Sequence, residues 1–460
     1  QCTATNVIRA MAGSVWFLVA IVAILHSIEC QQDRRETFVH FDLKGAPPRP
    51  TYFKHLLTLV KDLGADGVLI EWEDMFPYAG ALSSIKNGNA YSIDETLDIL
   101  QHANLLELSV IPLVQTVGHL EWILKTKEFA SLRENATYPM VVCIGNHQTL
   151  TLILDSIHQV MAMHSNIRAP YIHIGADEAF QVGECDADHK VLPVKYANST
   201  KRLMLDYIRA IATNITQTFK RTKVLMWFDE VKNTDHKLIK EYELDRLVIP
   251  VVWKYTTNLD RDLPPAMWEE LARSFSTVWG ASAFKGADGP NRYWNRMKTY
   301  MLNNKQYDHF AALCELMPVS MASLAISIRL IHNYAITDSE AEIIMRTLKC
   351  PTTTNINELI SGDDKCHFAG YKVRDSIRDF MLLKQQYDNA TWIHRRWLNQ
   401  LDKIIDRLQS SMNDLFYKDV FMEFLTDYIT PFNDELKERL TSVDAIDAKK
   451  TYGARPWFRR

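Results

Sequence analysis

The chain has 460 residues, of which 47% are hydrophobic and 23% are charged, with a formal net charge of −4 at pH 7. These values are typical of a globular protein and exclude an intrinsically disordered chain. The charge balance, without a long basic run, gives no reason to expect nucleic acid or an anionic membrane as a partner. The length accommodates a barrel of about 250–300 residues with an extension.

The N-terminal region carries a separate signal. Residues 13–25 are uncharged and almost wholly apolar, Arg9 lies upstream, and charged residues follow at 33–36. We expect residues 1–30 to be a signal peptide for the secretory pathway, leading to a secreted or lysosomal protein, or a membrane anchor if the segment extends over 7–28. Without use of that segment, a cytosolic or nuclear location is expected. Four glycosylation acceptors give weak support for secretion: Asn135, Asn198, Asn214 and Asn389.

Short β-rich runs then alternate with amphipathic stretches. The predicted strands are 37–43, 67–73, 109–115, 171–177, 223–229, 247–253 and 277–284. The predicted helices between them are 52–63, 93–106, 149–164, 200–220 and 266–275. Because polar and aromatic residues cluster where the strands end, we predict an α/β fold of the (β/α)8 TIM-barrel type over residues 36–335.

The pattern changes after residue 361. Residues 370–447 have helical periodicity with dense charge, which predicts two or three long helices packed on the barrel or on another subunit. We therefore expect a helical C-terminal extension over residues 336–460, and its helices are a candidate homodimer interface.

Seven cysteines do not form a recognisable framework. Their odd number and the lack of a Cys-x-x-Cys spacing predict neither a full disulfide set nor a metal site. Cys350 and Cys366 are able to pair around the loop between them in an oxidising compartment.

The most informative string is Tyr171-Ile-His-Ile-Gly-Ala-Asp-Glu178, a predicted buried strand that ends in two adjacent carboxylates. Residues at the carboxyl end of a barrel strand emerge at the catalytic face. One carboxyl of such a pair can stay ionised while the other keeps its proton and acts as an acid. An arbitrary Asp-Glu pair is more often a solvated turn, but the His-x-Gly-x-Asp-Glu context favours a catalytic role for Asp177 and Glu178.

This string resembles the active-site signature of the family-20 glycoside hydrolases, the β-N-acetylhexosaminidases. Further strings in the same order resemble one branch of that family: Phe41-Asp-Leu-Lys-Gly-Ala-Pro-Pro48, Ile70-Glu-Trp-Glu-Asp-Met-Phe-Pro-Tyr78, Ile111-Pro-Leu-Val-Gln-Thr-Val-Gly-His119, Trp279-Gly-Ala-Ser-Ala-Phe-Lys-Gly286 and Tyr307-Asp-His-Phe-Ala-Ala-Leu-Cys-Glu-Leu-Met-Pro318. The resemblance covers roughly residues 36–330.

One barrel strand is expected to be missing. The family pattern has a Trp-bearing eighth strand shortly before the Tyr-Asp-His string, whereas here residues 294–305 lead directly into that string without a convincing strand. About twenty residues are absent by resemblance, and an unclosed parallel barrel exposes two strand edges.

The resemblance implies hydrolysis of terminal N-acetylgalactosamine or N-acetylglucosamine with retention of anomeric configuration. In this family the 2-acetamido oxygen of the substrate attacks the anomeric carbon and forms an oxazolinium intermediate. Glu178 is then expected to act as general acid and later as base, and Asp177 to orient the acetamido N–H. No cofactor or metal is implied, and the expected partner is a glycan.

Five further residues are predicted to bind substrate. By resemblance, Trp227 and Trp253 wall the acetamido pocket, Tyr255 donates its hydroxyl to the acetamido oxygen, and Asp229 binds a sugar hydroxyl. His119 is expected to contact substrate or to tune Glu178. A core aromatic or a helix cap is a comparably frequent role for such residues.

Two other functions stay open at this point. A chain that lacks the eighth strand could bind amino sugars without turning them over. A metal-dependent hydrolase using Asp177, Glu178 and His119 is the third possibility, although no His-Glu-x-x-His motif occurs.

Overall fold

A computed structural model describes residues 36–283, 297–306, 325–326, 328–330, 336–361, 364–390 and 394–447. Seven strands form one parallel sheet whose strand order follows the chain. They are β1 (Phe38–Asp42), β2 (Gly67–Glu71), β3 (Ser109–Leu113), β4 (Tyr171–His173), β5 (Lys223–Trp227), β6 (Val248–Trp253) and β7 (Trp279–Ala281). Each predicted strand is confirmed, although most of the observed strands are shorter than predicted.

The connections between strands are helical, as the periodicity predicts. The α-helices are α1 (Pro50–Asp62), α2 (Ile93–Leu105), α3 (Glu121–Leu124), α4 (His147–Met163), α5 (Asp186–Lys195), α6 (Thr200–Thr218), α7 (His236–Glu241), α8 (Leu244–Leu247), α9 (Leu259–Asp262) and α10 (Pro265–Ser274). Short 3₁₀ segments are Glu73–Met75, Gly80–Ile85, Ala130–Leu132 and Phe228–Glu230. The predictions for α1, α2, α4, α6 and α10 are confirmed. The long loop after β4 also contains α5, which the sequence reasoning missed.

Strand side chains alternate between two buried clusters, as expected for a sheet covered on both faces. On β2, Val68 and Ile70 pack outward against the helices, while Leu69 points into an inner cluster with Phe38 and Trp279. The rings of Phe38 on β1 and Trp279 on β7 lie 5.4 Å apart, centroid to centroid. The sheet therefore curls until side chains of its first and last strands touch, giving a TIM-barrel-like α/β fold.

Within the described residues, no eighth strand joins β7 to β1. Instead, α11 (Met297–Gln306) packs beside the end of β7. The amide of Asn303 donates to the carbonyls of Lys254 (2.8 Å) and Thr256 (2.7 Å) and accepts from the Ala283 N–H (3.0 Å). Asn304 likewise accepts from the Ser282 hydroxyl. These polar contacts fasten α11 to the residues that follow β6 and β7.

The predicted C-terminal helices are present. They are α12 (Asp338–Thr347), α13 (Ile356–Ser361), α14 (Tyr371–Asp388), α15 (Arg396–Asn413), α16 (Lys418–Phe424) and α17 (Thr430–Asp447), with a π-helical turn at Leu425–Ile429. They attach near the end of β1, where Pro48 forms an antiparallel bridge with Phe416 and the Arg49 N–H donates to Leu415. From Thr37 onward the chain forms one compact unit, and the boundary at residue 335 stays a prediction.

Two disulfides are formed. The predicted pairing of Cys350 with Cys366 is confirmed, and Cys143 pairs with Cys185, which was not expected from their spacing. The apolar N-terminal segment lies outside the described residues. Among the helices that the structure describes, none combines the length and apolar character needed to cross a membrane.

Candidate active site

The Asp177–Glu178 pair lies on a tight turn directly after β4. The carbonyl of Gly175 still accepts from the Trp227 N–H of β5 at 2.9 Å. Gly175, Ala176 and Glu178 then have φ values of +62°, +65° and +48°. The left-handed conformation costs non-glycine residues about 1–3 kcal/mol each, so surrounding contacts must hold this turn.

The loop after β3 supplies those contacts. The Thr116 hydroxyl donates to the Ile174 carbonyl at 2.7 Å. Gly118 packs directly on the turn, because a Cβ at that position would lie 2.2 Å from the Asp177 carbonyl oxygen. The sequence therefore requires glycine at 118 for the catalytic turn to sit where it does.

His119 links the two carboxylates. Its Nε2 lies 3.4 Å from Asp177 Oδ2 and 3.2 Å from Glu178 Oε2. The hydrogen bond with Asp177 outweighs burial and raises the pKa of His119 to about 9. The imidazole is thus positively charged at neutral pH. Its place beside Glu178 is compatible with the expected role of tuning that residue, and the role stays a prediction.

The two carboxylates have different surroundings. The Asp177 side chain is 14% exposed, and its Oδ1 is buried without a hydrogen-bond partner in the described structure. The Glu178 side chain is 38% exposed and reaches toward solvent. One carboxylate therefore faces the cavity interior, and the other faces its mouth.

Aromatic side chains from β5 and β6 form one wall. Trp227 is buried, and the rings of Trp253 and Tyr255 lie 5.1 Å apart. The Trp253 indole N–H donates to Asp229 Oδ2 at 2.8 Å. Burial raises the pKa of Asp229 to about 6, although this hydrogen bond opposes the rise. The structure thus brings all seven sequence-predicted site residues to one edge of the sheet, and it shows Asp229 holding Trp253.

A buried polar group borders the same cavity, and the sequence reasoning missed its members His40 and Gln115. Glu71 Oε2 lies 3.1 Å from His40 Nε2, and the Gln115 amide donates to Glu71 Oε1 at 3.0 Å. Burial disfavours the charge on Glu71, but these bonds outweigh it and lower the pKa of Glu71. His40 and Gln115 lie on β1 and just after β3, so inward alternation along the predicted strands was the signal available for finding them.

His173 belongs to the same interior. Its Nδ1 accepts from the Gly175 N–H at 3.0 Å, which places the ring proton on Nε2. Burial holds the pKa of His173 well below its usual range, and its ring centroid lies 4.3 Å from that of Trp227. His173 therefore supports the turn through this hydrogen bond and does not offer a charged group.

A charged group borders the same cavity. Lys44 Nζ lies 3.1 Å from Glu73 Oε1 and 3.4 Å from Glu121 Oε2, and the Lys44 N–H donates to Asp42. Burial disfavours the lysine charge, but the three carboxylates together raise the pKa of Lys44. Lys44 thus joins Asp42, Glu73 and Glu121 in one charged network.

Together these groups line a cavity of about 170 Å³. Its lining residues are His40, Asp42, Lys44, Glu71, Gln115, His119, Asp177, Glu178, Trp227, Trp253 and Tyr255. An aromatic wall opposite a few convergent polar groups is the usual composition of a small-ligand site, and tryptophan faces suit the apolar face of a sugar ring.

The side chains with converging metal-type donor atoms in the described residues lie elsewhere. Glu134, Cys143, Cys185 and Asp188 place one donor atom each within 4.8 Å of one another. The two sulfurs are joined in a disulfide, so they are not available as thiolate ligands in this structure.

Comparisons with known proteins identify the family of the chain. Residues 51–273 match the family model described as glycosyl hydrolase family 20, catalytic domain. The chain is 37% identical over 319 residues to hexosaminidase D from Bos taurus, covering 64% of this chain and 91% of that protein. It is also 37% identical over 317 residues to hexosaminidase D from Homo sapiens, covering 64% and 65% respectively.

Solved structures show the same fold at low identity. A β-N-acetylhexosaminidase from Bacteroides fragilis NCTC 9343 aligns with a TM-score of 0.52 at 14% identity, over 68% of this chain and 70% of that one. A GH20 exo-β-N-acetylglucosaminidase from Vibrio harveyi, in complex with N-acetylglucosamine, aligns with a TM-score of 0.50 at 12% identity, over 68% and 57%. From its catalytic-face geometry and these similarities, the chain is a glycoside hydrolase that belongs to glycoside hydrolase family 20, with hexosaminidase D among its relatives.

Proposed function

We propose that this protein hydrolyses terminal, non-reducing β-linked N-acetylgalactosamine or N-acetylglucosamine by a retaining, substrate-assisted mechanism. The observation that carries the proposal is the unequal exposure of the adjacent carboxylates, 14% for Asp177 and 38% for Glu178, on either side of His119. A mechanism in which the substrate provides the nucleophile needs one carboxylate inside the pocket and one at the leaving group.

In the first step, Glu178 donates a proton to the glycosidic oxygen as the bond to the anomeric carbon breaks. The acetamido oxygen forms a bond to that carbon, giving an oxazolinium ion and releasing the leaving alcohol. Asp177 accepts the acetamido N–H and balances the developing positive charge. Glu178 then removes a proton from water while the water oxygen attacks the anomeric carbon. The bond from that carbon to the acetamido oxygen breaks, which regenerates the acetamido group and restores the original configuration.

The pocket supports these roles. Asp177 Oδ1 is buried and lacks a hydrogen-bond partner in the described structure, and the acetamido N–H is proposed to supply one. Trp227 and Trp253 provide apolar faces, and Asp229 fixes the Trp253 ring through a 2.8 Å hydrogen bond. Tyr255 is proposed to donate to the acetamido oxygen, and His119 to adjust the charge at Glu178.

The acetamido group offers a direct test of the mechanism. Replacing its methyl hydrogens with fluorine weakens the carbonyl oxygen as a nucleophile, so we expect kcat to fall progressively from the acetamido to the trifluoroacetamido 4-nitrophenyl glycoside. Proton NMR of the first-formed sugar should show the β-anomer. A rate that is insensitive to fluorination, or an initial α-anomer, would contradict substrate assistance.

The alternative of an inactive amino-sugar-binding protein is favoured by one observation. In the described residues β7 pairs only with β6, and the Trp-bearing eighth strand of the family pattern is not among them. Calorimetric binding of N-acetylgalactosamine by a folded chain that releases no sugar from any aryl glycoside would support this alternative.

We also propose entry into the secretory pathway. Two disulfides suit an oxidising compartment, and the apolar segment at 7–28 has the composition of a signal peptide or anchor. A mobility shift after peptide-N-glycosidase treatment of the expressed protein is the expected result. An unglycosylated protein in the cytosolic fraction would contradict it.

A further inference from the structure

The loop between the catalytic turn and α5 is tied down at its far end by one buried carboxylate. Glu134 Oε1 accepts three consecutive backbone N–H groups, from Gly183 (2.8 Å), Glu184 (2.5 Å) and Cys185 (2.9 Å). Glu134 is 3% exposed and belongs to the loop after β3. A carboxylate that binds three successive amides fixes the backbone of the loop it contacts.

Two further ties connect the same loops. The Asp188 carboxylate accepts from the Gly145 N–H at 2.6 Å and from the Gly183 N–H at 3.1 Å. The disulfide joins Cys143 to Cys185 across 42 residues of sequence. The loop after β4 is thus attached to the loop after β3 by one covalent bond and by two buried carboxyl groups.

These two loops also meet at the catalytic turn. Gly118 packs on the Asp177 carbonyl, and His119 contacts both catalytic carboxylates. Residues 178–185 are therefore attached to the loop after β3 at both of their ends. Between those ends the segment is less constrained, since Phe180 is 80% exposed.

Resting on the proposed function, we propose that Glu134 and the Cys143–Cys185 disulfide are positioning groups that hold Glu178 in its proton-donating geometry. The cluster formed by Glu134, Asp188 and this disulfide is called the loop clamp below. Glu178 has φ = +48°, a conformation that persists only when its surroundings impose it. Releasing the far end of the loop lets this residue relax away from the leaving-group oxygen.

The chemistry of Glu134 suggests a conservative variant. Burial raises the pKa of Glu134 to about 7, with a further contribution from Asp188, while the three N–H bonds oppose the rise. A glutamine at this position keeps an oxygen that accepts the same N–H groups, whereas an alanine leaves them without an acceptor.

The test uses the full-length protein with the disulfide or the acceptor removed. We expect Cys143→Ala/Cys185→Ala and Glu134→Ala each to lower kcat by about 10–100-fold with a nearly unchanged KM, because small misplacements of a catalytic group carry losses of this size. Glu134→Gln, by contrast, should keep most of the wild-type kcat. The matched control is Cys350→Ala/Cys366→Ala, which removes the other disulfide and should leave kcat within about twofold of wild type.

Leaving-group dependence separates positioning from general destabilisation. A glycoside with an acidic leaving group, such as 4-nitrophenol, needs little protonation by Glu178, whereas a methyl glycoside depends on it. The clamp variants should therefore lose more activity on the methyl glycoside than on the 4-nitrophenyl glycoside. An enzyme that is merely less well folded loses both in equal proportion.

The outcomes are distinguishable. Equal losses on both substrates, or wild-type kcat in the clamp variants, would overturn the loop clamp while leaving the proposed function standing. No hydrolysis by the folded wild-type protein would overturn the proposed function and the clamp with it.

Discussion

At the scale of single residues, His119 connects the two neighbouring carboxylates, because its side chain contacts both of them. Its ring nitrogen lies within 3.4 Å of Asp177 and 3.2 Å of Glu178, and its own backbone has φ = +54°. The positive charge it carries at neutral pH offsets the repulsion between two acids on one short turn. Its contribution to stability should consequently depend on pH.

The pH dependence has a defined sign. The pKa of His119 is about 9 in the folded protein and near the ordinary 6.5 when unfolded, so the folded state binds more protons between these values. The contribution is complete below about pH 6.5 and is lost as pH rises through 9. We expect the free energy of unfolding to fall by about 2 kcal/mol more in wild type than in His119→Gln over this interval. Urea unfolding followed by tryptophan fluorescence measures the free energy of unfolding of both proteins. Parallel pH curves for the two proteins would refute the raised pKa of His119.

At the scale of elements, the loop after β3 supports the loop after β4. Thr116, Gly118 and His119 contact the catalytic turn, and Glu134 and Cys143 hold the loop that follows it. The β3–β4 ladder has a single Cα register pair, Leu113 with His173. The contacts between the two loops therefore provide much of the attachment between β3 and β4 and the loops that follow them.

A methyl group at Gly118 should displace the catalytic turn. The alanine Cβ would meet the Asp177 carbonyl oxygen at 2.2 Å, and a backbone carbonyl cannot rotate away as a flexible side chain can. We expect Gly118→Ala to lower kcat at least tenfold, since geometry of this kind is worth about two orders of magnitude per ångström. The measurement is steady-state hydrolysis of a chromogenic N-acetylhexosaminide.

Gly88→Ala is the matched control, because a Cβ at Gly88 has no atom within 4 Å. That variant should keep wild-type kcat. Equal activity in the two alanine variants would show that the close approach at Gly118 does not position the turn.

Most of the strands and helices, and the position of the catalytic turn, could be predicted from the sequence. β-rich runs ending in polar residues located all seven strands, and the string ending in Asp177 and Glu178 located the catalytic turn. The loop clamp could not be predicted, because Glu134, Cys143 and Cys185 come together only through the folding of two long loops. The Asp229–Trp253 hydrogen bond is similar, since two adjacent strands bring those residues together across 24 positions of sequence.

At the scale of the whole molecule, the described sheet closes through side chains rather than through an eighth strand. The Phe38–Trp279 ring contact bridges the first and last strands, and α11 is fastened beside β7 through Asn303 and Asn304. The absence of a strand in residues 297–306 was predictable from their composition. The helix α11 could not be predicted, because its attachment depends on contacts between the Asn303 side chain and backbone groups that are distant in sequence.

Removing the Asn303 amide should therefore destabilise the molecule. The side chain is 1% exposed and makes three backbone hydrogen bonds, two donated and one accepted. We expect Asn303→Ala to lower the free energy of unfolding by about 2–4 kcal/mol, since each lost bond also leaves a buried group unpaired. Asn104→Ala, on the exposed face of α2, is the control and should be nearly neutral. A difference below about 0.5 kcal/mol between the two variants would contradict the role given to α11.

The assembly of the molecule stays a prediction. Leu382 on α14 and Met422 on α16 are 49% and 44% exposed, and both belong to the helices proposed as a homodimer interface. Light scattering should show a dimer for wild type and a shift toward monomer for Leu382→Lys. A wild-type monomer at micromolar concentration would contradict the proposal.

The central claim is that Glu178 is the acid and base of a family-20 hydrolase. The most direct measurement uses methyl N-acetyl-β-galactosaminide and methyl N-acetyl-β-glucosaminide, because release of methanol depends on protonation. It compares their hydrolysis by wild type, Glu178→Gln and Glu128→Gln, an exposed glutamate used as control. We predict turnover by wild type and the control, and a loss of about 100-fold or more in Glu178→Gln. Wild-type turnover that survives in Glu178→Gln, or no turnover by a folded wild-type chain, would contradict the account.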